Sequence, residues 1–245
     1  MFPLCGEAYN KCMCSRYFLD ADGNIIAHTF RVPLRGPIRK RFNIAPTQEA
    51  PVVRVSKDGE REVAILRWGL VPSWAKDLKV GTRMINARCE GVEAKPSFRE
   101  AVRQRRCIVP ATGFFEWQGK AGHKQPFAIT LPGQSLFAFA GLWERWKGTD
   151  SEPVETFTIV TNEANESVAR IHDRMPVILP MDAIETWLTA APEDARQLLK
   201  PYEGAIELRA VGKYVSNVSN EGPECLNDAE PSWGSPEPPR QGSLL

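Results

Sequence analysis

No apolar run in this 245-residue chain approaches the ~20 residues that a membrane-spanning helix needs. Residues 1–12 hold Glu7 and Lys11 but no apolar stretch, so no secretory leader is evident. The six cysteines (Cys5, Cys12, Cys14, Cys89, Cys107, Cys225) include no C-x-x-C pair, which argues against a zinc site and a disulfide framework. A reducing cytoplasm suits them best. There are only three histidines, and the net charge of +1 argues neither for nor against nucleic acid. A βαβ rhythm is missing, as are internal repeats.

Hydrophobic residues make up 42% and charged residues 25%, ordinary values for a globular protein with ample core. The charge is unevenly spread. Arg31, Arg35, Arg39, Lys40 and Arg41 form an acid-free basic run, and Arg99, Arg103, Arg105 and Arg106 a second, while Glu221, Glu224, Asp228, Glu230 and Glu237 make the C-terminal end acidic. The rest of the chain is therefore more basic than its total suggests, as a phosphate-binding face requires, although solvated surface explains such runs equally well.

Short strands are expected at 15–19, 52–56, 63–67, 107–109, 113–117, 157–161, 177–179 and 206–211, with a hairpin joining 126–131 to 136–141 over Pro132-Gly133. Asp22-Gly23-Asn24 reads as a turn and 38–47 as mostly loop. Helices are expected at 96–106, from Asn162 as cap to Arg170, at 183–189 behind an Asp182/Glu185 capping box, and at 192–199. The fold class is α+β: a single domain dominated by antiparallel sheet, with a few flanking helices. Residues 1–13 read as an extension outside the mature protein, 14–228 as the domain and 229–245 as a disordered acidic tail.

Met13-Cys14 carries the chemistry. If Met13 is the initiator and is removed, Cys14 bears a thiol and an α-amine on one Cα, with ordinary pKa values of roughly 8.5 and 7.7–8.0. Such an aminothiol captures an aldehyde: the amine forms a Schiff base and sulfur closes a thiazolidine. Three other stretches supply polar groups. On an extended Ile85-Asn86-Ala87-Arg88, Asn86 and Arg88 share a side, one able to orient a carbonyl and the other to clamp a phosphate. Glu116, within Gly113-Phe114-Phe115-Glu116-Trp117, shares a strand face with Phe114; burial there would raise its pKa toward neutrality, as a general acid–base needs. His172 in Ile171-His172-Asp173-Arg174-Met175-Pro176 is suited to proton transfer near pH 7. Plainer readings stay open: an inert buried Cys14, a turn Asn86, a surface Arg88, a solvent-facing Glu116 and a structural His172.

MCSR, INAR, GFFEW and IHDRMPVIL, with NIAPT and RWGLVPSW between them, closely resemble the SOS-response-associated peptidase family from Met13 to about Cys225. The resemblance implies a strongly bent, barrel-like β-structure with a positive cleft, and covalent crosslinking to abasic sites in single-stranded DNA. On it, Cys14 forms the thiazolidine, Asn86 positions sugar and terminus, Glu116 is the general acid–base, and His172 assists ring opening and reversal. Arg16, Arg88 and Arg174 hold phosphates, Pro46 and Trp74 stack on or wedge between flanking bases, and Trp68 stays in the core. No metal or organic cofactor is implied, and the expected protein is a cytoplasmic, DNA-associated monomer. Ser15 stands where the family usually has Gly.

The twelve residues ahead of Met13 are the larger departure, because an amide at Cys14 forbids the chemistry. A misassigned start, self-removal of a leader and a retained extension are the three explanations. Two other functions fit the same residues. One is a cysteine peptidase with Cys14 as nucleophile, His172 as base and Asn86 as carbonyl stabiliser. The other is a non-catalytic single-strand binding module.

Overall fold

Strand formation follows the β-branched and aromatic runs of the sequence, and their pairing builds two sheets. The structure, a computed structural model, describes residues 14–120, 122–148 and 152–230; residues 1–13 and 231–245, which hold the expected extension and most of the expected tail, lie outside the described residues. In chain order the elements are β1 (Tyr17–Leu19), α1 (Gly23–Phe30), β2 (Arg41–Ile44), β3 (Glu49–Val55), β4 (Arg61–Trp68) and β5 (Asn86–Arg88). Then come α2 (Arg99–Gln104), β6 (Arg106–Ala111), β7 (Gly113–Gln118), β8 (Gln125–Thr130), β9 (Phe137–Trp146) and β10 (Val154–Glu163). The last are α3 (Glu166–Ala169), β11 (Arg174–Pro176), β12 (Ile178–Leu179), α4 (Ile184–Thr189), α5 (Pro192–Arg196) and β13 (Glu207–Ala210). Among the described residues no helix is long and apolar enough to cross a membrane.

One sheet has the order β13-β8-β7-β1-β2. In the other, β10, β4, β3, β6 and β9 pair in turn and β9 pairs back onto β10, closing a five-stranded ring. Closure removes the free edges of these strands. Strands β5 and β11 both add to β10 beyond the ring. The fold is thus mixed α+β with a barrel and few helices, as expected.

Strands β1 and β7 are covered on both faces, which explains why YFL and GFF are unbroken apolar runs. Tyr17 meets Trp68 edge-on with ring centroids 5.3 Å apart, and Phe114 meets Phe139 at 5.9 Å. These contacts weld the five-stranded sheet to the ring. On the opposite face Phe18 and Phe115 pack with Ala128, Val211, Val215 and Cys225. Gly113 is fixed by this packing, since a Cβ there would lie 2.3 Å from Phe18 Cζ and 2.7 Å from the Ile129 carbonyl oxygen. Gly113→Ala is expected to cost about 2–3 kcal/mol, read as a fall in Tm of roughly 5–10 °C in thermal unfolding.

Several local expectations are corrected. The Asp22-Gly23-Asn24 turn is the start of α1: Asp22 accepts from the N–H groups of Asn24 and Ile25. The 38–47 loop contains β2. The strand expected at 107–109 runs on as β6 through Pro110, which lies opposite Ala138. The strands around Pro132-Gly133 touch only through the Leu131–Gln134 bridge, then part into different sheets. The cap of α3 is Asn165, not Asn162, which lies in β10. No capping box forms at α4, because Glu185 is engaged by Arg61. Helix α2 is shorter than expected because Arg106 already belongs to β6. Of the expected tail only Ala229 and Glu230 are described, and Ala229 N–H bonds to the Ala210 carbonyl; within the domain Glu221 pairs with Arg41 and Asp228 with Arg209.

Candidate functional site

Pairing of β1 with β7 assembles the centre of the site. Tyr17 lies opposite Phe114, and Phe115 N–H donates to the Arg16 carbonyl at 3.0 Å, so the pairing runs on toward Cys14. Cys14 has a left-handed φ of 37°, and its backbone nitrogen donates to Glu116 Oε1 at 2.8 Å. The parallel pairing of β5 with β10 sets Asn86 opposite Ile159 and Arg88 opposite Thr161. Asn86 Nδ2 then donates to the Cys14 carbonyl at 3.3 Å. Cys14 is thus in direct contact with both Asn86 and Glu116.

Glu116 is 4% exposed, on the Phe114 side of β7. Burial pushes its carboxyl up to about 8; hydrogen bonds from the Cys14 and Trp117 amides and the charge of Lys124 pull down, and Asp173 pushes up. Cys14 is fully buried, and that burial, with the nearby Glu116 charge, drives its thiol well above the usual range. At neutral pH this cysteine is a thiol that needs a proton acceptor beside it.

His172 sits on the α3–β11 connection. That connection is laid against β7, where Gln118 Nε2 donates to the Arg170 carbonyl at 2.8 Å. The imidazole is half-buried; its Nδ1 accepts the Arg174 N–H at 3.1 Å and lies 3.1 Å from Asp173 Oδ1. Accepting from Arg174 assigns the proton of the neutral ring to Nε2, and an imidazolium Nδ1–H would be met by Asp173. No direct contact joins His172 to Cys14 or Glu116 among the described hydrogen bonds.

The five expected DNA-contact residues divide. Arg88 and Trp74 are exposed, Trp74 at 62%, on a turn held by Ala75 N–H to the Pro72 carbonyl and by the Trp146 indole to the Ala75 carbonyl. Pro46 is half-buried on the turn after β2. Arg16 is buried: Nη1 donates to Asn43 Oδ1 at 2.7 Å and to the Val215 carbonyl at 2.9 Å, and its guanidinium lies over Trp117. Arg174 is also buried, forked onto Glu90 at 2.6 and 2.8 Å and donating to the Thr161 carbonyl at 2.9 Å. That fork holds the Glu90 carboxyl down at about 2. Of the second basic run, Arg106 is buried beneath backbone carbonyls and Arg105 is paired with Glu144. Trp68 is fully buried, with its indole N–H on the Ile85 carbonyl.

Glu90, Asn43, Val215, Asp173 and Lys124 were not singled out from the sequence. Glu90 left a trace there, as an acid two residues past Arg88 without a basic neighbour in sequence, and Asp173 adjoins His172 while Lys124 follows the Glu116 strand. Asn43 and Val215 meet Arg16 only across sequence separations of 27 and 199.

A family model described as SOS response associated peptidase (SRAP) matches residues 13–218. The chain is 39% identical over 223 residues to abasic site processing protein YoqW of Bacillus subtilis, covering 87% of this chain and 99% of that protein. It is 36% identical over 225 residues to abasic site processing protein HMCES of Gallus gallus, covering 78% and 67% of the two chains. A crystal structure of a Bacteroides thetaiotaomicron protein superposes with a TM-score of 0.80 at 26% identity, covering 88% of this chain and all of that one. With the barrel, the Cys14–Glu116 contact and these matches in place, the chain belongs to the SRAP family.

Proposed function

We propose that this protein processes abasic sites in single-stranded DNA, forming a thiazolidine crosslink through Cys14 as its first residue. One observation carries the reading: the Cys14 backbone nitrogen lies 2.8 Å from a buried carboxylate whose pKa is raised into the neutral range. A nitrogen held on a carboxyl that still carries its proton is what Schiff-base formation requires. The names of the relatives, and a family match that begins at residue 13, support the same reading.

His172 exchanges a proton with the abasic deoxyribose as its cyclic hemiacetal opens to the aldehyde. The Cys14 amine adds to C1′, and Glu116 gives a proton to the resulting hydroxyl, which leaves as water. Sγ then attacks the iminium carbon and its proton passes to Glu116. The products are a thiazolidine and one water. Asn86, bound to the Cys14 carbonyl, keeps the residue from rotating out of reach. Arg88 supplies an exposed guanidinium for the strand, whereas Arg16 and Arg174 would have to share or exchange their present partners to hold a phosphate. A peptidase is less well served, because the Cys14 thiol is held protonated and no described hydrogen bond joins it to His172.

The test pairs intact mass with crosslinking. Protein beginning at Cys14 should give an SDS-resistant adduct with a single strand carrying an abasic site, and none with an undamaged strand. Protein retaining residue 13 should give none. Hydrolysis of peptides by the first species, without any adduct, would replace this reading with the peptidase.

Trp74 offers a second measurement. Stacking contributes about 1–3 kcal/mol per base, so Trp74→Ala should weaken single-strand binding about 5- to 100-fold without lowering Tm, since its ring is exposed. Fluorescence anisotropy on an undamaged oligonucleotide reads this directly.

A further inference from the structure

Ala45-Pro46-Thr47-Gln48 form a turn in which Gln48 N–H donates to the Ala45 carbonyl at 3.2 Å and Thr47 has φ 71°. Pro at the second position and positive φ at the third define a type II turn, whose third position belongs to Gly or Asn. A β-branched residue in that seat is strained. Strain of this kind persists only where the surroundings over-determine it, and it gathers at functional sites.

The surroundings here are unusually complete. Thr47 N–H donates to the Trp68 carbonyl at 2.8 Å, and Trp68 N–H to the Gln48 carbonyl at 2.9 Å. Arg67 Nη1 donates to the Thr47 carbonyl at 2.7 Å. Gln48 Oε1 accepts from Ala45 N–H at 3.1 Å and from Arg41 Nη2 at 2.7 Å. All of this grips the backbone and the neighbours. Among the described residues nothing hydrogen-bonds the Thr47 hydroxyl, and the residue is half-buried, like Pro46. The fold therefore tolerates a side chain that it does not use, on a turn flanked by two guanidiniums. Glu221 partly neutralises Arg41, while no described acid pairs with Arg67.

We propose that Thr47 is a DNA-contacting residue, its hydroxyl donating to a backbone phosphodiester of the strand that Pro46 meets. This rests on the abasic-site reading above and extends it by one named contact. Arg67 and Gln48 are its positioning residues.

Three variants decide it, with affinity for an undamaged single-stranded oligonucleotide and Tm as readouts. Thr47→Val keeps the branching and loses only the hydroxyl; it should fold with unchanged Tm and bind about 10-fold more weakly. Thr47→Ser should bind like the parent. Thr47→Gly should lose binding as Val does, with Tm equal to or a few degrees above the parent, because the strain is relieved. Parent-like binding by Thr47→Val, or a fall in Tm of several degrees in Thr47→Gly, would overturn the proposal. Failure of the parent protein to form an adduct with abasic DNA would sink the wider reading instead, and the undamaged-strand affinities would still decide Thr47.

Discussion

Protein beginning at Cys14 with Cys14→Ser should form less than about 1% of the parent's SDS-resistant adduct with abasic single-stranded DNA. The amine survives in this variant, so a Schiff base still forms. An alcohol closes the ring far less effectively than a thiol, and the open imine hydrolyses on denaturation. Borohydride should therefore rescue a covalent product from the variant, while the parent needs no reductant. Affinity for an undamaged strand should stay within about two-fold, because the variant exchanges one sulfur for one oxygen and alters no charge or phosphate contact. The contrast isolates sulfur from binding. Reductant-free adduct from Cys14→Ser at the parent's yield would defeat the thiazolidine reading, since the bond that survives denaturation would then not need sulfur.

How much of this could be read in advance depends on sequence distance. The burial of Glu116 was legible because strand parity puts it on the face of Phe114, two residues away, and the structure leaves it 4% exposed. The shared side of Asn86 and Arg88 was legible for the same reason, while Trp68 in the core came with the family resemblance. The contact between Cys14 and Glu116 was not, because 102 residues separate them and only the β1–β7 register joins them. The family resemblance named both residues without showing that they touch. The fates of Arg16 and Arg174 were hidden likewise: one is claimed by the Val215 carbonyl 199 residues on, the other by Glu90 at a separation of 84. Pro132-Gly133 failed as a hairpin signal for a different reason. A tight turn looks the same locally whether its strands stay paired or part, and here closure of the ring onto β10 draws β9 away.

Glu116→Gln should slow crosslinking at pH 7 by about 10²–10³-fold, the usual worth of a positioned acid–base. It should also make the folded protein more stable. The side-chain oxygen of the amide can still accept the Cys14 N–H, so the local structure is retained. Burial raises the folded-state pKa of Glu116 from an ordinary 4.5 to about 8. At the acid end both the folded and the unfolded chain carry the proton, and the carboxyl costs nothing through ionisation. As pH rises toward 8 the unfolded chain ionises while the folded one keeps its proton, so stability falls across that window and then levels off. The amide of the variant does not titrate and brings no such dependence. The Tm difference between variant and parent should therefore open from about pH 5 to about pH 8. It should open less in protein beginning at Cys14, where a terminal ammonium beside the carboxylate favours its charged form. Crosslinking by the parent should decline as pH rises through the titration of Glu116, which the terminal ammonium places below the value of about 8 set by burial alone, because Glu116 then loses the proton it gives to the departing water. A variant that crosslinks at the parent's rate from pH 6 to 9 would remove Glu116 from the chemistry and leave its raised pKa as a consequence of packing alone.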